Sequence, residues 1–182
     1  MIDLKKINLP STVEVAGRLY PIRTDYRYFL RFNEHLKEKD ATLDAFDYMY
    51  EYEIPESRLE GIRALCEFMN PAQTLPRRTG RETNEPVIDY ELDADYIYAA
   101  FYEQYGIDLQ TAALHWYKFS ALLKGLHDTE LNNIISARLW RPTGKNSEYE
   151  KHRQRQYEAW RLPDPTDNEP DEALEEFLQE LK

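Results

Sequence analysis

The stretch DYELDADYIYAAFYEQYGIDLQTAALHWYKFSALLKG, Asp89 to Gly125, sets the expectation for the rest of the chain. From about Asp93 to Tyr105, Ile97, Ala100, Phe101 and Tyr105 fall at the spacing of one helical face, which predicts a helix with one side to bury. Gly106 suits the position just past a helix end, where a positive φ is wanted, and Asp108 suits the cap of a following helix. So short a connection predicts two antiparallel helices. In the second of them Leu109, Ala112, Ala113, Trp116, Phe119 and Leu123 form one face, while Leu114, Tyr117, Ala121 and Leu122 form another. A helix apolar on most sides is normally surrounded by protein, so Leu109 to Leu123 is the expected central helix.

Around this pair, 182 residues fit one domain with appendages, and seven Phe, fourteen Tyr and three Trp give its core aromatic bulk. The net charge of −11 argues against general affinity for nucleic acid or anionic membrane, because phosphate binding is driven by clustered Lys and Arg. It leaves room for local basic patches. Cys66 is the one cysteine and cannot form an intramolecular disulfide, and no charged-then-apolar leader opens the chain. A bacterial or phage-infected cytosol is the simplest setting, and no apolar run approaches the roughly 20 residues that span a bilayer.

The chain opens with strand-like alternation, Thr12 to Val15 and Arg18 to Ile22 around Ala16-Gly17, which predicts a β-hairpin over about 10–23. Pro21 belongs at an edge or a strand end. An isolated hairpin is marginal in water, so this one either docks on its own helical body or pairs between subunits. Thr24 or Asp25 can cap a helix to about Lys39 that buries Phe29, Phe32 and Leu36. A second helix is expected from Thr42 to about Tyr52 with Leu43, Phe46 and Tyr50 inward. Pro55 suits a first helical position, and Leu59, Ile62, Leu65, Cys66 and Met69 mark a third amphipathic helix that stops before Asn70-Pro71. Cys66 lies on its apolar side and reads as a small core residue.

From Asn70 to about residue 88 the pattern breaks into a loop with Pro71, Pro76, Gly80, Pro86 and the basic group Arg77, Arg78 and Arg81, which either holds an acidic partner or solubilises the loop. After Gly125, Asp128 or Thr129 starts a helix with Leu131, Ile134, Ile135 and Leu139. Ser147 and Glu150 have the spacing of a capping box for another helix to about Trp160, whose Lys151, His152, Arg153 and Arg155 form a solvated face. Residues 163–170 are a stiff, acidic, proline-rich linker. Beyond it Leu174, Phe177, Leu178 and Leu181 repeat at helical spacing among Glu172, Glu175, Glu176 and Glu180. About a dozen residues are too few for a stable isolated helix, so this stripe wants a groove on this body, on a neighbouring copy or on a different protein. The fold class expected is mainly α: a bundle of about seven helices over residues 1–162 with a small N-terminal hairpin, followed by an acidic tail helix within 163–182.

Motifs for chemistry are sparse. Asp89, Glu91, Asp93 and Asp95 could converge on Mg²⁺ for metal-dependent nuclease chemistry, but Asp93 can equally cap the following helix with Asp95 in its first turn, and no nearby lysine completes a nuclease pattern. His35, His115, His127 and His152 show no ligand spacing. There is no G-x-x-x-x-G-K phosphate loop and no G-x-S-x-G elbow, while Ser120 and His115 read as helix residues and not as catalytic groups. No catalytic, cofactor-binding or metal-binding residue is therefore assigned, and the balance moves toward binding or assembly.

Three blocks carry a family resemblance: TVEVAGRLYPIRTDYR (Thr12 to Arg27), DYELDADYIYAAFYEQYGIDL (Asp89 to Leu109) and LHWYKFSALLKGL (Leu114 to Leu126), with a weaker echo in Ile134-Ile135, Arg138 and Arg161-Leu162-Pro163. They resemble the tailed-phage family called gene product 15. The resemblance implies a non-enzymatic tail-assembly chaperone, in the cytoplasm of the bacterial host, that escorts the tape-measure protein while tail-tube subunits polymerise. The tail-tube protein, a second tail chaperone and further copies of the chain are the other partners it suggests. A structural or adaptor component retained in the tail is the alternative. Neither the 70–88 loop nor the tail beyond Pro163 lies in the matching blocks. As a binding surface the residues themselves suggest Tyr98, Tyr102 and Tyr117 on the helix pair, expected to be partly exposed, and Leu174, Phe177, Leu178 and Leu181 on the tail.

Overall fold

The computed structural model describes residues 2–38, 40–71, 87–144 and 147–163. Among these the chain is mainly helical, with one antiparallel hairpin, β1 (Thr12–Val15) and β2 (Arg18–Pro21). Helices α1 (Tyr26–His35), α2 (Arg58–Met69), α3 (Ala94–Tyr105), α4 (Trp116–Gly125), α5 (Glu130–Leu139) and α6 (Glu148–Trp160) follow, with a 3-10 helix at Leu43–Met49 between α1 and α2. The 70–88 loop, apart from its ends, and the tail beyond Pro163 lie outside the described residues. Two compact units form: Met1–Thr83 with Ile97–Leu126, and Asn84–Tyr96 with His127–Lys182.

In the first unit Ala16 and Gly17 both take positive φ, 51° and 78°, as a two-residue turn that matches strand twist requires. Val13, Val15, Tyr20 and Ile22 then line one buried face. The hairpin docks on its own body. Ile22 bridges to Tyr50, the Glu51 N–H donates to the Pro21 carbonyl at 3.1 Å, and β1 lies against α2. That second strand-like pairing explains why the segment after Leu43 does not run as an α-helix to Tyr52. Its chain must leave helical conformation at Tyr50 to meet Ile22.

Helix α1 starts where expected, with the Asp25 carboxylate accepting from the Arg27 N–H, but it ends at His35 and leaves Leu36 exposed. Ser57 caps α2, not a residue before Pro55, and Pro55 is buried ahead of the helix. The buried stripe of α2 is Gly61, Leu65 and Phe68, so Leu59 faces solvent and Cys66 is half-buried, with burial raising its thiol above its usual pKa. Phe68 anchors this stripe by stacking on Phe29 at 5.5 Å and on Tyr117 at 4.7 Å. Phe29 also stacks on Trp116, and Phe119 stacks on Tyr26 at 4.4 Å and on Phe101 at 5.2 Å. Offset rings add about 0.5–1.5 kcal/mol per pair beyond the area they bury.

The expected Leu109 to Leu123 helix is not continuous. Helix α3 ends as anticipated, with Gly106 at a φ of 64°, and Asp108 caps a single turn through the Gln110 N–H. The chain then opens out until His115, so the two helices are joined by ten residues and not by a tight turn. Tertiary pairing is the reason. Asp25 bridges to His115, the Tyr26 N–H donates to the Leu114 carbonyl at 2.8 Å, and the Trp116 N–H donates to the Thr24 carbonyl at 2.7 Å. These bonds bring the starts of α1 and α4 together and require extended backbone where periodicity predicted helix. Within α4, Trp116, Tyr117 and Phe119 are buried whereas Ala121 is exposed.

His115 itself caps α4. Its Nδ1 accepts from the Tyr117 N–H at 3.0 Å and its Nε2 lies 2.9 Å from the Pro10 carbonyl, a pair of contacts that only the neutral ring protonated on Nε2 satisfies. Burial holds its pKa below the usual value, with the Lys118 charge acting in the same direction. Because the folded-state pKa is depressed, this stability is complete above the unfolded-state value of about 6.5 and is lost as pH falls through it toward the folded value. The urea midpoint is therefore expected to fall between pH 7.5 and pH 5.5, and His115→Asn, which can cap without titrating, should flatten part of that fall.

A second prediction concerns Gly61. A Cβ there would lie 2.5 Å from the Tyr50 hydroxyl, which is buried without a hydrogen-bond partner. Gly61→Ala alone should destabilise despite the roughly 1 kcal/mol that alanine gains over glycine within a helix. Tyr50→Phe should be neutral or stabilising, since it removes an unpaired buried hydroxyl. Combined, the two changes should exceed wild-type stability, and a double-mutant cycle by chemical denaturation reads the coupling directly.

Candidate protein-binding surface

Tyr98 and Tyr102 lie one turn apart on α3, opposite the side that buries Ile97, Ala100 and Phe101. Their rings stack at 6.2 Å with planes 13° apart, and Tyr102 is 58% exposed while Tyr98 is half-buried. Desolvation raises the Tyr98 phenol above its usual pKa, and the Asp108 carboxylate adds to the effect. The Tyr98 phenol stays a neutral donor at physiological pH. Tyr117 does not join them. It is 7% exposed, stacked on Phe68, and its burial pushes the phenol up to about 12. The expectation of partial exposure fails for Tyr117 because Phe68, from α2, lies flat against its ring. Leu174, Phe177, Leu178 and Leu181 lie outside the described residues.

Two surface features of the first unit were not read from sequence. Leu19, Tyr52 and Ile54 are exposed where the chain after Tyr50 follows β2, and the Arg18–Glu53 ion pair ties the two segments. Their signal was weak because Leu19 lies in an alternating strand and Tyr52 in a stretch assigned to helix. Where α1 meets the 3-10 helix, the Arg23 guanidinium lies over the Tyr28 ring at 5.5 Å and the Arg31 guanidinium over the Tyr48 ring at 4.7 Å, with the two rings 6.3 Å apart. Glu38 joins this group through His35, so the patch carries both signs of charge.

The acidic string at the start of α3 is not assembled as a metal site. The Asp93 carboxylate is 1% exposed and meets both terminal nitrogens of Arg138, at 2.6 and 2.8 Å. It also accepts from the Asp89 N–H, while the Asp89 carboxylate caps the turn through the Glu91 and Leu92 N–H groups. Asp93 was expected to cap α3 and instead neutralises a cation 45 residues away in sequence. Glu91 and Asp95 are exposed, and among the described residues no three His, Cys, Asp or Glu side chains could hold a metal ion together.

Arg138 makes this an anchor for the second unit, because its guanidinium also donates to the Val87 and Trp160 carbonyls, at 3.0 and 2.7 Å. Removing either charge leaves the other buried and unpaired. Arg138→Ala or Asp93→Asn should cost about 3–5 kcal/mol in the unfolding of this unit, and replacement of both by apolar residues should cost less than either alone. Arg138→Lys should not rescue, since one ammonium cannot reach four acceptors in this planar arrangement.

Among the described residues no helix is long and apolar enough to cross a membrane. No curated protein and no solved structure matches the chain. The family described as Bacteriophage Gp15 protein matches residues 6–160, most of the chain, and the chain belongs to that family.

Proposed function

We propose that the chain is a non-enzymatic chaperone of phage tail assembly, acting in the host cytoplasm and covering the tape-measure protein, with or without tail-tube subunits, before the tube closes around it. The observation that carries this reading is membership of the Bacteriophage Gp15 protein family over residues 6–160. The physical features agree with it. A long tape-measure helix presents apolar stripes that must be shielded until the tube encloses them. The stacked Tyr98 and Tyr102 offer a flat surface that is apolar on its faces and hydrogen-bonding at its rim, the kind of side chain that supplies contact area at low entropic cost. With a net charge of −11 the exterior keeps such an assembly dispersed.

Co-expression with the tape-measure protein of the same phage tests the reading. The expected result is that the tape-measure protein becomes soluble and copurifies, whereas equal insolubility with and without this chain refutes it. Tyr98→Ser with Tyr102→Ser should weaken copurification while shifting the fold's stability by no more than about 1 kcal/mol, since Tyr102 is largely exposed and Tyr98 half-buried. Mass spectrometry of purified tails separates a chaperone, absent from finished particles, from a structural or adaptor component, which would remain.

A further inference from the structure

The first unit leaves two complementary surfaces open. The segment ahead of β1 is fixed at its base, where the Pro10 carbonyl lies 2.9 Å from His115 Nε2 and the Ser11 carbonyl accepts from the Ile22 N–H at 2.9 Å. Before that anchor it forms a short arm that turns on itself. The Lys6 N–H donates to the Asp3 carbonyl and the Lys5 N–H to the Asp3 carboxylate, both at 3.0 Å. Leu4 and Ile7 project from the arm 95% and 101% exposed, so neither rests on its own molecule. Lys5 and Lys6 are exposed as well, and among the described residues neither ammonium has a carboxylate partner.

The other surface is the outer face of the hairpin. Val13, Tyr20 and Ile22 point inward, so alternation puts the cross-strand partners Glu14 and Leu19 outside, with Pro21 two residues further on the same face. The Glu51 N–H bond to the Pro21 carbonyl extends the pairing by one more segment. It sets Glu51 opposite Pro21 on that outer face, since the adjoining Ile22–Tyr50 pair is buried. Leu19, 62% exposed, and Pro21 thus form an apolar row with one carboxylate on either side. Arg18 is taken by Glu53, and among the described residues neither Glu14 nor Glu51 has a cationic partner.

We infer that the arm of one molecule crosses to the outer hairpin face of a second copy and that the second copy's arm is received in return. Leu4 and Ile7 then cover Leu19 and Pro21, while Lys5 and Lys6 meet Glu14 and Glu51. Charge complementarity favours this occupant, two unpaired ammonium groups against two unpaired carboxylates, each pair flanking two apolar side chains. Both halves of the match belong to one chain, and neither is filled within a single molecule. A reciprocal exchange fills both at once and closes as an isologous pair, so no further protein is needed. Such a dimer neither requires the chaperone role nor follows from it.

Sedimentation equilibrium of the full chain over a concentration series tests it. A monomer–dimer equilibrium is expected. Leu4→Ser with Ile7→Ser, both at exposed positions, should raise its dissociation constant roughly tenfold or more while the circular dichroism spectrum stays unchanged. Lys5→Glu with Lys6→Glu should also weaken the dimer, and Glu14→Lys with Glu51→Lys on that background should restore it. Failure of this charge reversal to rescue overturns the pairing with Glu14 and Glu51. A chain that is monomeric at every concentration overturns the inference, as does a dimer that none of these variants weakens. If a monomeric chain still shows faster hydrogen exchange at residues 3–7 on Leu19→Ser, the arm lies on its own hairpin and the second copy is excluded.

Discussion

The first unit depends on a short backbone pairing, the exchange of hydrogen bonds between Thr24–Tyr26 and Leu114–Trp116. Two bonds at 2.7 and 2.8 Å are modest in net energy, about 1 kcal/mol each. Their effect is positional. They start α1 and α4 side by side, so that Tyr26 meets Phe119, Phe29 meets Trp116, and the Tyr26 hydroxyl reaches the Leu109 carbonyl at 2.8 Å. The aromatic rings supply the larger part of the stabilisation through burial, but the pairing decides which rings face which. It also explains why a sequence able to continue as helix from Leu109 does not, since continuing would withdraw the Leu114 carbonyl and the Trp116 N–H from their partners.

The second unit is held by a different device, a buried ion pair in which the Arg138 guanidinium makes four hydrogen bonds. Arg138 gathers the segment before α3, the end of α6 and the Asp93 carboxylate onto one planar group. Such a pair adds little net stability over an apolar replacement, but it is costly to break and it selects one arrangement of three segments. Among the described residues of this unit the fully buried apolar side chains are Leu131, Ile134 and Ala137, and beside them this directional contact contributes specificity.

Exposed aromatic and aliphatic residues lie on local structures that the core holds rigid. The Tyr98–Tyr102 stack sits on the outer face of a helix whose inner face is packed, and Leu19 and Tyr52 sit on a hairpin edge fixed by Val13, Val15 and Tyr20 beneath it. A surface with those properties loses little entropy on binding. Of the acidic residues that suggested a metal site, Asp89 caps a turn and Asp93 is the partner of the buried Arg138, while Glu91 and Asp95 are exposed.

The sequence by itself determined the helical class, the hairpin, the turn at Gly106 and the cap at Ser147, and it narrowed the caps of α1 and α5 to Thr24 or Asp25 and to Asp128 or Thr129, because periodicity and capping act over a few residues and are written locally. It also carried the family, through blocks around Thr12, Asp89 and Leu114. What only the tertiary structure decided were the features set by residues far apart in the chain. Helix α4 begins at Trp116 because Thr24 and Tyr26 take its backbone partners, Tyr117 is buried because Phe68 lies against it, and Asp93 is part of an ion pair because Arg138 arrives from α5. Each of these replaces a locally satisfactory alternative by a contact of greater energy whose second member no local pattern can name.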